Sequence, residues 1–293
     1  MAEQGHGNHW ECLGNLDDAL KKILPKVVQQ GDTVEKAEVM TDCFENEKPE
    51  KHTVFSISIN AELSAIALIV NNQKKQTNDI VSAYPFVQNK NQIRLKIMEI
   101  REWDNLIEGI IVGETEDEHT LSFFDTKYFK NKELYQIGRT YPFSFSALGY
   151  NVEYLKDKNF SFAGQQAVDW LAKIGRKPTY DSNGKVEPVV FDLSNLVSFL
   201  PQNEYPDDAE FQSPVFAVEI VSAFDTQFYK LKIQIYRDPD VFIDLYAKTT
   251  FFDRKPDTND SVRGIIWLQG YLVENTEEQY SNLLNADGEP IIN

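Results

Sequence analysis

Apolar and polar residues alternate along much of this chain with a period of two, the pattern of strands that bury one face. Ile93, Leu95 and Ile97 alternate with polar neighbours, and Tyr141, Phe143 and Phe145 alternate with Pro142 and Ser144. The first run predicts a strand that ends at a turn over Trp103-Asp104-Asn105, followed by a return strand over 106–112. Glu116-Asp117-Glu118 predicts the next turn and 119–124 a third strand. A polar stretch over 127–138 then leads into the long aromatic strand. Further along, strands are expected over 215–221, 228–236, 241–246 and 261–273, with a polar loop at 253–260. Others are expected over 53–59, 64–70 and 186–192.

The two sets of strands share residues as well as order, and self-similarity of this kind marks a repeated unit. Ile97-Met98-Glu99-Ile100-Arg101-Glu102-Trp103-Asp104 is answered by Val218-Glu219-Ile220-Val221-Ser222-Ala223-Phe224-Asp225, 121 residues on. Leu121 and Phe123 correspond to Ile243 and Leu245, and Thr126-Lys127-Tyr128-Phe129 to Thr249-Thr250-Phe251-Phe252. Gly149-Tyr150-Asn151-Val152-Glu153 corresponds to Gly270-Tyr271-Leu272-Val273-Glu274, again 121 apart. The lead-ins Val81-Ser82-Ala83-Tyr84-Pro85 and Val197-Ser198-Phe199-Leu200-Pro201 also agree.

Three meandering strands, a connecting segment and one or two closing strands resemble the order of an OB-like barrel. The glycine-bounded run Val262-Arg263-Gly264-Ile265-Ile266-Trp267-Leu268-Gln269-Gly270 adds to that resemblance. The expected fold is therefore mainly β: two tandem, repeated, small OB-like β-barrel modules with a bridging helix and an N-terminal helix. The corresponding divisions are a leader and helix at 1–50, copy one at 51–158, a bridging helix at 159–180, copy two at 181–276 and an acidic tail at 277–293.

Helical periodicity occurs twice. Asn15 is placed to cap a helix in which Leu16, Ala19, Leu20, Ile23 and Leu24 share a face, with Pro25 ending or kinking it. Ala167, Trp170, Leu171 and Ile174 recur at three and four residues before Gly175, so this second helix reads as a packed linker between the copies.

Charge narrows the choice of partners. Forty-six acidic against 29 basic residues give a net charge of −17, which opposes long-range attraction to phosphate polymers and anionic membranes. No stretch approaches the ~18 consecutive apolar residues of a membrane helix, and the polar start Met1-Ala2-Glu3-Gln4-Gly5-His6 does not read as a signal peptide. Cys12 and Cys43 lie at a spacing typical of no disulfide scaffold or zinc site. A cytoplasmic protein with free thiols and no cofactor is the expectation.

Candidate chemistry is sparse. His6, His9 and Cys12 bring metal-binding atoms close together, but on a glycine-rich leader that reads as loosely held, with no fourth ligand. His119 reads as a strand residue, Asp104 and Asp225 as turn residues, and no metal site is expected. The stretch 127–141 is the one candidate ligand surface: Lys127, Tyr128, Lys130, Lys132, Arg139 and Tyr141 interleave cations with aromatic rings. Rings that stack bases beside cations that follow a backbone are how single-stranded nucleic acid is held. Two functions follow: a non-catalytic interaction protein whose partner is another protein, or a single-strand binder that uses 127–141.

Overall fold

The computed structural model describes residues 5–42, 48–203 and 205–273; Cys43 and the expected acidic tail at 277–293 lie outside them. The chain is mainly β, with little helix. Strands β1 (Asp32–Thr41), β2 (Glu50–Ser58), β3 (Leu63–Asn72) and β4 (Thr77–Val87) form a four-stranded antiparallel sheet in chain order. Then follow β5 (Ile93–Glu102), β6 (Gly109–Glu114), β7 (Thr120–Asp125) and β8 (Thr140–Tyr154). A two-stranded sheet pairs β9 (Asn159–Phe162) with β10 (Val189–Asp192). Finally come β11 (Ser198–Pro201), β12 (Asp208–Ala223), β13 (Thr226–Tyr236), β14 (Val241–Lys248) and β15 (Ser261–Leu272). Nine strands join in one mixed sheet, in the order β11-β12-β13-β14-β8-β15-β7-β6-β5.

That sheet closes on itself twice. β8 and β15 run antiparallel along most of their lengths, from Phe143 opposite Leu272 to Tyr154 opposite Val262. On its other edge, β8 pairs first with β5 over Thr140–Phe143 and then, in parallel, with β14 over Ser146–Leu148. β15 does the same, pairing with β12 over Ser261–Trp267 and then with β7 at Gln269 and Gly270. The result is two rings of five strands, β5-β6-β7-β15-β8 and β12-β13-β14-β8-β15, which share β8 and β15.

The two expected modules are thus not separate barrels, and the reason is strand length. At about 3.3 Å per residue a 15-residue strand spans about 50 Å, longer than one five-stranded ring can use. Each half of β8 and β15 serves a different ring. In the parallel contacts Tyr246 lies opposite Leu148 and Phe124 opposite Gln269. The lead-ins differ, because Val81–Pro85 belongs to β4 of the smaller sheet whereas 198–201 joins the larger one.

Side-chain alternation divides the interior in two. Phe123, Ala147, Leu245 and Leu268 point into the core that runs through both rings. Their neighbours Phe124, Leu148, Tyr246 and Trp267 point outward into a second core, beneath the four-stranded sheet and the N-terminal segment. Both faces of these strands are buried there, so apolar residues stand side by side at 123–124, 147–148, 245–247 and 265–268.

Gly264 admits the close approach of β8 and β15 at their register shift, since a Cβ there would lie 2.0 Å from the Asn151 carbonyl oxygen. Gly264→Ala is expected to lower the unfolding free energy by about 1–3 kcal/mol through backbone displacement. Urea denaturation reads this, and an unchanged midpoint contradicts the packing.

The helices differ from expectation in two ways. Asn15 does cap, its Oδ1 accepting from Asp18 N at 2.8 Å, and α1 (Leu16–Asp18) begins there. A π-helical turn over Ala19–Ile23 then precedes α2 (Leu24–Gln30), which places Pro25 in a first turn where its missing N–H is tolerated. Residues 127–138 are not a polar loop, because α3 (Tyr128–Asn131) buries Tyr128, Phe129 and Asn131. Among the described residues no helix is long and apolar enough to cross a membrane.

Candidate functional site

The N-terminal segment is not a loose leader. His6, His9, Trp10 and Cys12 are all buried. Glu108 fixes the segment: its Oε1 accepts from His6 Nε2 and from Ser82 Oγ, each at 2.7 Å, and its Oε2 accepts from Asn105 Nδ2 at 2.6 Å. The Nδ1 atoms of His6 and His9 lie 2.7 Å apart, one donating and the other accepting. Burial first, and His6 second, push the His9 pKa well down. His6 stacks on Trp103 and His9 on Trp267, with ring centroids 4.9 and 4.0 Å apart. The two imidazoles therefore face each other, and among the described residues no metal-binding cluster of three or more such side chains forms. With its oxygens taken by three donors, Glu108 acts as an anchor.

A groove of about 460 Å³ opens above this anchor, walled by Trp10, Leu16, Leu20, Ile80 and Trp103, with His6 and Glu108 at its floor. On the far side of Trp267, Asp207 accepts from the indole Nε1 at 2.8 Å and Tyr150 donates to Asp208 at 2.9 Å. Burial first, then Asp207, pushes the Asp208 carboxyl up to about 7 against the opposing Tyr150 hydrogen bond.

A carboxyl with a raised native pKa holds its proton longer in the folded chain than in the unfolded one. The Asp208 contribution to stability therefore falls as pH rises from about 4 through about 7. Asp208→Asn keeps an acceptor for Tyr150 and removes that loss. Its stability relative to the parent is expected to grow with pH across that window and to level off above it, by urea denaturation at several pH values. A pH-independent difference contradicts the shift.

The stretch 127–141 is folded against carboxylates. Lys127 and Lys130 both reach Glu35 of β1, at 2.8 and 2.5 Å. Lys132 reaches Glu102 at 2.9 Å, and the Tyr128 hydroxyl donates to the same carboxylate at 3.0 Å. Tyr141 donates to the Leu134 carbonyl at 2.7 Å, and Arg139 is half-buried just before β8. Four of the six candidate residues are thus gathered onto Glu35 and Glu102, carboxylates that lie outside the stretch. His119 stacks on Tyr236 with centroids 4.4 Å apart.

A different surface was less legible in sequence. Residues 156–197 leave the rings after β8 as an appendage built from β9, β10 and α4 (Gln165–Lys173), and only Ala167 within it is buried. Its helix does not pack between the two halves. Phe160, Phe162, Trp170 and Phe191 pack on one another at 4.9–6.3 Å between centroids. Within it Phe160 is 50% exposed, while Val190, 59% exposed, stands opposite Ser161 on the other face of the β9–β10 pair. Apolar surface gathered in one place marks an interaction site more often than scattered residues do.

No protein-family model matches this chain, and no curated protein matches it.

Proposed function

We propose that this chain is a non-catalytic interaction protein whose appendage, 156–197, binds another protein. The observation that carries this reading is the aromatic cluster of the appendage, which packs on itself while Phe160 stays half exposed. Further support comes from Glu108, whose oxygens are engaged by three donors.

The same reading takes the two halves as copies of one OB-like unit. The meander β5-β6-β7, the helix α3 and the closing strand β8 follow the order of such a barrel, with β15 as fifth strand. The second half has the same order, with β8 as its fifth strand. A cytoplasmic setting goes with this reading and rests on the free, buried thiol of Cys12.

Single-strand binding through 127–141 is the weaker alternative. Phosphates there would compete with Glu35 and Glu102 for Lys127, Lys130 and Lys132, on a chain of net charge −17.

Replacing 159–192 by a short Gly/Ser linker tests the proposal. Circular dichroism is expected to retain the β signal. In-cell cross-linking in the native host is expected to lose the proteins captured by the parent chain. Retention of the same cross-linked proteins contradicts the assignment.

A further inference from the structure

We infer that the appendage is an acidic-peptide site and that the chain's own residues 274–293 are its occupant, bound within the same molecule. This rests on reading the appendage as a binding surface and adds the chemistry of what binds there: residues 274–293 hold the place that an acidic segment of the partner protein takes by displacing them.

Charge is the first support. The segment 165–187 carries Lys173, Arg176, Lys177 and Lys185 against Asp169, Asp181 and Glu187, a small cationic excess on a chain of net charge −17. Asp181 is engaged in its own turn, its Oδ1 accepting from Asn183 N and Lys185 N. Among the described residues no carboxylate lies within 4.0 Å of these four cations, a state they share with Lys36, Lys158, Lys232 and Lys255 elsewhere on the chain. Cations left this way are where an acidic partner gains most, because binding breaks no existing pair.

Apolar complementarity is the second. Lys173, the last residue of α4, stands three residues after Trp170, on the same side of the helix. A ligand that meets Lys173 therefore also meets the aromatic cluster that holds Trp170. Residues 274–293 match both features: Glu274, Glu277, Glu278, Asp287 and Glu289 with no Lys, Arg or His, together with Leu283, Leu284, Ile291 and Ile292.

Reach is the third. β15 ends at Leu272, opposite Phe143, while the appendage departs after Tyr154 at the other end of β8. Eleven strand residues separate them, about 36 Å. Twenty residues extend to at most about 70 Å, so the segment spans the gap with length to spare. Tethering also raises its effective concentration at the site.

Carbodiimide cross-linking of the full chain, which joins lysine amines to carboxylates in contact, tests this directly. An equal mixture of ¹⁴N- and ¹⁵N-labelled chains distinguishes contact within a molecule from contact between molecules. Expected are same-isotope links from Lys173, Lys177 or Lys185 to Glu277, Glu278, Asp287 or Glu289. Their yield is expected to fall at least about fivefold between about 0.05 and about 0.5 M salt, as screening weakens the contact.

A second variant, Phe160→Ser, leaves every lysine in place and is expected to lower the yield as well. Absence of links to 274–293 overturns the inference while leaving the deletion test of the appendage untouched. Mixed-isotope links overturn it in favour of a second copy. Binding of a fluorescent oligo-dT, lost in a Lys173→Glu, Arg176→Glu, Lys177→Glu variant, overturns it in favour of nucleic acid.

Discussion

Trp267→Ala is expected to lower the unfolding free energy by about 3–5 kcal/mol, the range for removing a large, fully buried aromatic ring. The indole is entirely buried, on the outward face of β15, where both rings meet the N-terminal segment. Three losses add. The cavity forms beside Phe124, whose ring lies 5.6 Å away. His9 loses the ring on which it stacks at 7° between planes. Asp207, already pushed above the usual carboxylate range by burial, loses its Nε1 donor. Trp267→Phe retains much of the apolar volume and loses the hydrogen bond, so its effect is expected to be smaller. Urea denaturation orders the three chains, and equal stability of all three contradicts the placement.

Glu108→Ala is expected to cost about 2–4 kcal/mol, because it strands the buried His6 donor and two half-buried ones. His6, Ser82 and Asn105 would all lose their acceptor. The damage should be local as well as global. Hydrogen exchange over residues 5–14 is expected to speed up more than exchange in β7 or β14, since Glu108 holds that segment from 102 residues away. Glu108→Gln is expected to fall between the two. One side-chain oxygen still accepts from His6 and Ser82, while the amide nitrogen then faces the Asn105 amide. Unchanged exchange at the N-terminus contradicts the anchoring role.

Much of the strand content is legible in the sequence. Expected strands at 228–236, 241–246 and 261–273 fall within a few residues of β13, β14 and β15, because alternation is a local property. Two strands of the smaller sheet were missed for local reasons. β1 shifts register between Thr33 and Glu35, which breaks its alternation. β4 contains Pro85, which argues against a central strand and is tolerated on this edge.

Pairing between the halves was illegible. Nothing in Leu245 or Ala147 announces that the two stand opposite each other, 98 residues apart in the chain. The candidate site failed in sequence for the same reason. A run of lysines and tyrosines reads as a basic surface until Glu35 and Glu102 are brought to it by the fold. The His6–Cys12 segment reads as loose until Glu108 reaches it. The exposure of the aromatic cluster in 156–197 was equally hidden, since Phe162 and Trp170 have the spacing of core residues whether or not a core covers them.

Native-state hydrogen exchange tests the interlocking of the two rings most directly. If β7 and β14 each close on the other half's long strand, neither ring can open alone. Amides of Leu121–Phe124 and Ile243–Tyr246 are then expected to exchange with one common free energy, equal to that of global unfolding. Two distinct plateaus, one for each half, would show that the halves open independently and would contradict the shared strands.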